Sequence, residues 1–311
     1  MKYYGHEELK PTGTGGRAIV TKGRKTTFEE RVFIVALCKL GNVTRVAYYK
    51  WLRKGAHPTD DQNERLARLA VKIHEEHPDM GYRRIRDKIE HDYGLHVNDK
   101  RILRICRKKK LRSVIKNRYN CCTRPAVDPY YTAENVLNRD FHADRCNQKW
   151  VTDVTEFKYH PADGTTMKVY LSLILDLCDR RPVSYVIGDR NDNPLVFQTF
   201  DKAVEGHPDA HPLFHSDRGF QYTNKNFHDK LVQAGMTQSM SRVAHCTDNG
   251  PMEGFWGILK REMYYRRKFT SRQELVDAIE DYIAYYTYDR PQRKLGILTP
   301  QEYHEKLATA A

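Results

Sequence analysis

Three acids stand at positions where a carboxylate needs a reason. Asp153 falls in the middle of "KWVTDVTEFKY" (149–159), with Val151-Thr152 before it and Val154-Thr155 after it. An acid inside such an apolar, β-branched stretch is costly to bury unless it is paired or binds a metal. Asp217 lies in "HSDRGFQYT" (215–223), directly after the apolar stretch Pro212-Leu213-Phe214. Glu253 lies in the first turn of a helical pattern that starts near Pro251. Sixty-three residues separate Asp153 from Asp217, and thirty-five separate Asp217 from Glu253. Singly, Asp217 could close a turn and Glu253 could complement a helix dipole. Together they offer hard oxygen ligands from three rigid elements, the donor set for two divalent cations about 4 Å apart that drive a phosphoryl displacement.

The elements that must position these acids follow from periodicity. "KWVTDVTEFKY" (149–159), "KVYLSLILDLC" (168–178) and "PVSYVIG" (182–188) read as strands, with turns at Asp163-Gly164 and at Asp179-Arg180-Arg181-Pro182. Residues 194–205 read as a helix, 211–214 as a short strand, 224–234 as a helix and 236–240 as a strand. A long helix then runs from about Pro251 to Arg267, with Met252, Phe255, Leu259 and Met263 as its packing stripe. Trp256 reads as core on the same helix. Strands followed by alternating helices and strands predict an α/β sheet domain. Asp176 and Asp179 read as structural acids at the end of the second strand. His215 and His245 flank the site without metal-ligand spacing.

The front of the chain is different. Residues 1–125 hold 30 Lys and Arg against 14 Asp and Glu, an excess of 16, whereas the remainder holds 23 against 26. A basic front on a mildly acidic back points to polyanion binding ahead of separate chemistry. Phe28, Val32, Val35 and Ala36 recur at helical spacing, Gly41-Asn42 breaks the pattern, and Thr44 caps a second helix ending in "YYKWLRKG". This is the shape of a helix-turn-helix. A second helical set follows, with Leu66, Leu69, Ala70 and Ile73 as one stripe. "GYRRIRDKIEHDYG" turns Ile85 and Ile89 inward and Arg83, Arg84 and Arg86 outward, and "DKRILRICRKKK" leaves Lys100, Arg101, Arg104, Arg107 and Lys108 for phosphates. The expected organisation is a basic arm (1–25), a helix-turn-helix (26–56), a second helical module (60–112), a linker (113–146), a catalytic core (147–290) and a C-terminal tail (291–311). Seven scattered cysteines predict no disulfide framework, and Cys121, Cys122, His142 and Cys146 lack zinc-site spacing. With no signal sequence and no membrane-length apolar run, the chain is expected in the cytoplasm, on the nucleoid when bound to DNA.

With these residues in place, the chain resembles the second-frame (OrfB) transposases of bacterial insertion sequences, relatives of the retroviral integrases in the DDE recombinase superfamily. The resemblance is carried by "WVTDVTEF", "HSDRGFQYT", "CTDNGPMEGFWGILKRE" and the closing "YDRPQRKLGILTPQEY" (288–303), and covers roughly residues 40–305. It implies an α/β ribonuclease H-like catalytic domain, a mixed sheet flanked by helices, preceded by an all-α helix-turn-helix DNA-binding region. It implies that Asp153, Asp217 and Glu253 are the catalytic, metal-holding triad, for two Mg²⁺ ions with Mn²⁺ able to replace them. Lys260 matches the family's basic residue and, two helical turns on, shares a face with Glu253 to reach DNA. Asn249 belongs to the motif, and Asp248 is the competing third acid; both are expected in support of the triad. The activity implied is cleavage of element ends and transfer of the 3′-hydroxyl to target DNA by a homo-multimer, with a first-frame (OrfA) partner or fusion. The first forty residues look more like that partner's start. Gly250 stands where the family has alanine, and Gln292-Arg293-Lys294 where a histidine follows the proline. The rival readings are a simple ribonuclease H-like nuclease and an inactive or regulatory DNA-binding remnant.

Overall fold

The computed structural model describes residues 27–54, 58–115, 131–242 and 245–310. The predicted basic arm (1–25), Cys121 and Cys122 lie outside them. The chain divides into two compact units, Met1–Arg65 and Leu66–Ala311.

In the first unit, α1 (Phe28–Leu40) begins at a capping box, in which the Thr27 hydroxyl accepts from the Glu30 amide and the Glu30 carboxylate accepts from the Thr27 amide. Gly41 and Asn42, the latter in the left-handed region (φ 49°), make the turn into α2 (Arg45–Lys54). Ile34 and Cys38, one turn apart, are the buried positions of α1, while Phe28 and Val32 are exposed. The apolar face therefore differs from the predicted one, because a two-helix pair has room to bury only a single narrow stripe.

The second unit holds most of α3 (Pro58–Glu76), then α4 (Tyr82–Tyr93) and α5 (Asp99–Lys108), packed around Leu66, Ala70, Ile73, Ile85, Ile89, Ile102 and Ile105. The sheet follows: β1 (Lys149–Tyr159), β2 (Met167–Asp176), β3 (Pro182–Gly188), α6 (Asn193–Gly206), β4 (Leu213–Ser216), α7 (Lys225–Gln233) and β5 (Thr237–Met240). A short 3₁₀ turn (Cys246–Asn249) leads into α8 (Gly250–Glu262), and α9 (Arg272–Tyr288) and α10 (Pro300–Ala310) complete the chain. The strand order is β3-β2-β1-β4-β5, with β1, β2 and β3 antiparallel and β1, β4 and β5 parallel. This is the mixed sheet flanked by helices that the sequence predicts.

Period-2 alternation divides the sheet into two cores. Val151, Phe157, Leu171, Leu173 and Leu175 face α8 and α9, whereas Trp150, Ile174 and Phe214 face α6 and α7. Asp153 is two residues from Val151 and so shares the α8 face. That parity is what aims an acid of the central strand at a helix rather than at the opposite core.

The predicted outward arrangement of α4 is corrected in part. Arg83 is exposed, but the Arg84 guanidinium lies between Asp79 and Glu262, 2.8 Å from each, and donates to the Tyr285 hydroxyl. Arg86 donates to the Val97 carbonyl and pairs with Glu90 at 2.6 Å. Two of the three arginines are thus drawn in by carboxylates and carbonyls that would otherwise be left unpaired.

Candidate active site

β1 and β4 run parallel, in register from Lys149 opposite Leu213 to Val151 opposite His215. Two residues beyond that last pair, along each segment, stand Asp153 and Asp217, so the two acids emerge side by side. Asp217 follows the last residue of β4, where Ser216 accepts from the Ser241 amide and keeps the strand end fixed. The Gly219 amide donates to Asp217 Oδ1 at 2.8 Å. A Cβ at position 219 would stand 3.0 Å from that same oxygen and 3.1 Å from Gln221 Oε1, so glycine is what allows this close approach.

Asp153 is held from two sides. Its Oδ1 accepts from the Val154 amide at 2.8 Å, and its Oδ2 accepts from Trp256 Nε1 at 3.0 Å. Trp256 is 7% exposed, so it is the buried residue the sequence predicts. It is also a donor to the site, which the sequence did not reveal; the available signal is that a buried indole N–H usually finds an acceptor. Burial, and next the Asp217 carboxylate, push the Asp153 pKa up to about 7. Burial raises that of Asp217 as well. Two adjacent carboxylates driven toward neutrality by desolvation are a pair that a divalent cation would hold ionised.

Glu253 stands exposed on the first turn of α8, and its charge is felt at Asp153. The start of this helix is tied to β1 by Asn249, whose Nδ2 donates to the Thr152 carbonyl at 2.9 Å, next to Asp153. Asn249 Oδ1 is buried without a hydrogen-bond partner. The competing acid Asp248 is already engaged: it accepts from Arg242 Nε at 2.8 Å, Arg139 Nε at 2.7 Å and Asn135 Nδ2 at 3.0 Å. Hydrogen bonds from Arg242 hold its carboxyl well below the usual carboxylate range. Its geometry is that of a clamp on the loop before α8. A Cβ on Gly250 would meet Phe141 only at an ordinary 3.7 Å, so the departure from alanine leaves the site undisturbed.

Lys260 lies half-buried with Nζ 5.3 Å from the centre of the Phe157 ring, and burial lowers its pKa against the opposing pull of Asp153 and Glu156. His215 is fully buried between Ser239 and Ser241, and burial lowers its pKa to about 4, which leaves it a neutral structural group. Arg218 Nε donates to the Ser241 carbonyl at 2.8 Å, so it braces the loop beyond β5. Lys100, Arg104, Arg107 and Lys108 are exposed on α5, and Arg101 is half-buried. Among the described residues no helix is long and apolar enough to cross a membrane.

Two models of an integrase core domain match residues 143–246 and 253–307, and a model of an HTH-like domain matches residues 61–119. The chain is 36% identical to the InsK transposase ascribed to insertion sequence element IS150 of Escherichia coli strain K12, over 87% of this chain and 93% of that protein. It is 31% identical to a 31 kDa protein of insertion element IS600 from Shigella sonnei, over 87% of this chain and 98% of that one. The transposase of insertion sequence element IS904 from Lactococcus lactis subsp. lactis is 29% identical, over 80% and 97%. Among solved structures, the HTLV-2 integrase catalytic core domain in complex with magnesium is similar with a TM-score of 0.39 and 18% identity, over 51% of this chain and 97% of that one.

Proposed function

The chain belongs to the insertion-sequence transposases that carry an integrase core, and from that premise we propose which of its residues perform the reaction. It is a DNA transposase, a polynucleotidyl transferase that cuts and joins DNA strands. Asp153, Asp217 and Glu253 are the catalytic carboxylates and the ligands of two Mg²⁺ ions. The parallel pairing of β1 and β4, which sets Asp153 beside Asp217 below the first turn of α8, is the observation that carries this reading. Three carboxylates form an all-oxygen donor set suited to a hard cation. When bound, Mg²⁺, or Mn²⁺ in its place, would lower the pKa of the attacking hydroxyl and offset charge on the leaving oxygen.

The remaining work falls to the chain's own side chains. Trp256 and the Val154 amide fix the orientation of the Asp153 carboxylate, and the Gly219 amide does the same for Asp217. Asn249 sets the height of α8, and hence of Glu253, over the strand ends. Lys260, on the same helix two turns on, contacts the phosphate next to the scissile one. Arg83, Lys100, Arg101, Arg104, Arg107 and Lys108 bind the backbone of element-end DNA. The enzyme acts as a homo-multimer that joins two element ends to target DNA, with help from a first-frame partner, and is located with the nucleoid.

Incubation with Mg²⁺ and labelled element-end DNA tests this directly. Wild-type protein is expected to yield nicks at the 3′ end and then joined products, and Asp217→Asn neither, while retaining DNA binding. Nicks without joined products would favour a nuclease, binding without either a regulatory remnant, and unchanged activity in Asp217→Asn would remove the triad from the mechanism.

A further inference from the structure

A second group of ligating side chains lies on a different part of the core. Cys146 precedes β1, Asp179 is in the β2–β3 turn, and His304 is on α10. Cys146 Sγ is 3.4 Å from Asp179 Oδ2 and 3.4 Å from His304 Nδ1, and the latter two atoms are 2.7 Å apart. Among the described residues, this is the one group of three such side chains whose ligand atoms all lie within 4.8 Å of one another. Asp179 is 1% exposed, whereas Cys146 and His304 are half-buried, so an ion has a route in from one side. Cys178, one residue before Asp179, is a buried free thiol.

The chemistry of this group is not that of the triad. A thiol, an imidazole and a carboxylate suit a borderline-soft ion, whereas three carboxylates suit a hard one. Tetrahedral Zn²⁺, with Zn–S about 2.3 Å and Zn–N or Zn–O about 2.0–2.2 Å, sets sulfur roughly 3.5 Å from its neighbouring ligand atoms. Both sulfur separations here match that value. The 2.7 Å between His304 and Asp179 is a direct hydrogen bond, which would open by roughly 0.6–0.9 Å around an ion of those bond lengths.

We propose that Cys146, Asp179 and His304 form a Zn²⁺ site, separate from the catalytic metal site, that clips α10 to the β2–β3 turn. Binding displaces the Cys146 thiol proton to solvent, moves the imidazole proton of His304 from Nδ1 to Nε2, and replaces the His304–Asp179 hydrogen bond with two bonds to the ion. Water fills the fourth position, or Cys178 after a change of rotamer. Cys146 lies ahead of β1 and Asp179 beyond the end of β2, outside the stretch of β1 that carries Asp153, so loss of the ion alters the seating of α10 and leaves Asp153 and Asp217 in place.

The full chain, stripped of metal by chelator dialysis and held in excess Mg²⁺, is titrated with Co²⁺. One equivalent is expected to bind with a thiolate-to-cobalt charge-transfer band and the strong visible bands of tetrahedral Co²⁺, both bleached by Zn²⁺. Asp217→Asn is expected to retain the full signal. Cys146→Ser is expected to lose the charge-transfer band, and His304→Ala to weaken Co²⁺ binding at least ~10-fold, on the order seen for perturbed metal shells. No thiolate band in the wild type, a band that survives Cys146→Ser, or unchanged affinity in His304→Ala would overturn the proposal.

Discussion

At the residue scale, the catalytic claim rests on how few groups hold each carboxylate. Asp153 takes one bond from its neighbour's amide and one from Trp256, so Trp256→Phe removes the second and keeps the packing. Cleavage is expected to fall about 10- to 100-fold, with DNA affinity unchanged, as for other groups that orient metal ligands; single-turnover rates at saturating DNA provide the check. Gly219→Ala is expected to be nearly as damaging, because its Cβ would crowd Asp217 Oδ1 at 3.0 Å. A variant with wild-type turnover would mean the Asp217 carboxylate can shift without consequence. The place of Asp153 was legible in the sequence, since an acid amid apolar strand residues is too costly to bury without a charge or a metal to meet it, whereas the proposed roles of Asp217 and Glu253 came from motif spacing. The Trp256–Asp153 and Asn249–Thr152 bonds were not legible, because spacing along a helix gives the face of a side chain and not the atom it meets.

At the element scale, the strands were legible from alternation, and the order of helices and strands followed the predicted one from β1 to α8, whereas α9 and α10 were not predicted. The fate of the basic residues on α4 was not legible. Arg84 and Arg86 have the same chemistry as the exposed Arg83, and only the tertiary positions of Glu262, Asp79 and Val97 decide which turn inward. Arg293, in a loop for which the sequence offered no role, bridges Asp87 at 2.7 Å and Asp99 at 2.8 Å, joining the C-terminal segment to α4 and α5. Glu262 at the end of α8 is paired with both Arg290 and Arg84 in a buried setting. Glu262→Gln leaves the buried Arg290 guanidinium without its counter-ion and Arg84 with Asp79 alone, and is expected to cost about 3–5 kcal/mol, as for other broken buried pairs. Chemical denaturation measures it, and a loss below about 1 kcal/mol would show the network to be dispensable.

A pH signature belongs at the same scale. Burial disfavours the charged form of His91, but hydrogen bonds to Asp92 and Glu302 outweigh it and raise the pKa above 6.5. A raised histidine stabilises the folded state fully below its unfolded pKa, and that contribution fades as pH climbs through the folded value. The difference in melting temperature between wild type and His91→Gln should therefore be largest below about pH 6.5 and shrink above it. A difference that grows with pH would contradict this sign.

At the scale of the whole molecule, the basic front (residues 1–125) and the mildly acidic remainder fit the proposed division between holding DNA and reacting with it. The logarithm of DNA affinity should fall linearly with the logarithm of salt concentration, and removing Arg104, Arg107 or Lys108 should each reduce the slope by about 0.9. Triad variants should leave that slope unchanged. The measurement that bears most directly on the central claim is strand cleavage by Asp217→Cys in Mg²⁺ and in Mn²⁺. A thiolate is a poor ligand for Mg²⁺ and a better one for the softer Mn²⁺. If Asp217 holds the catalytic metal, the variant should be inactive in Mg²⁺ and recover part of its cleavage in Mn²⁺; wild-type cleavage in Mg²⁺ would contradict the assignment.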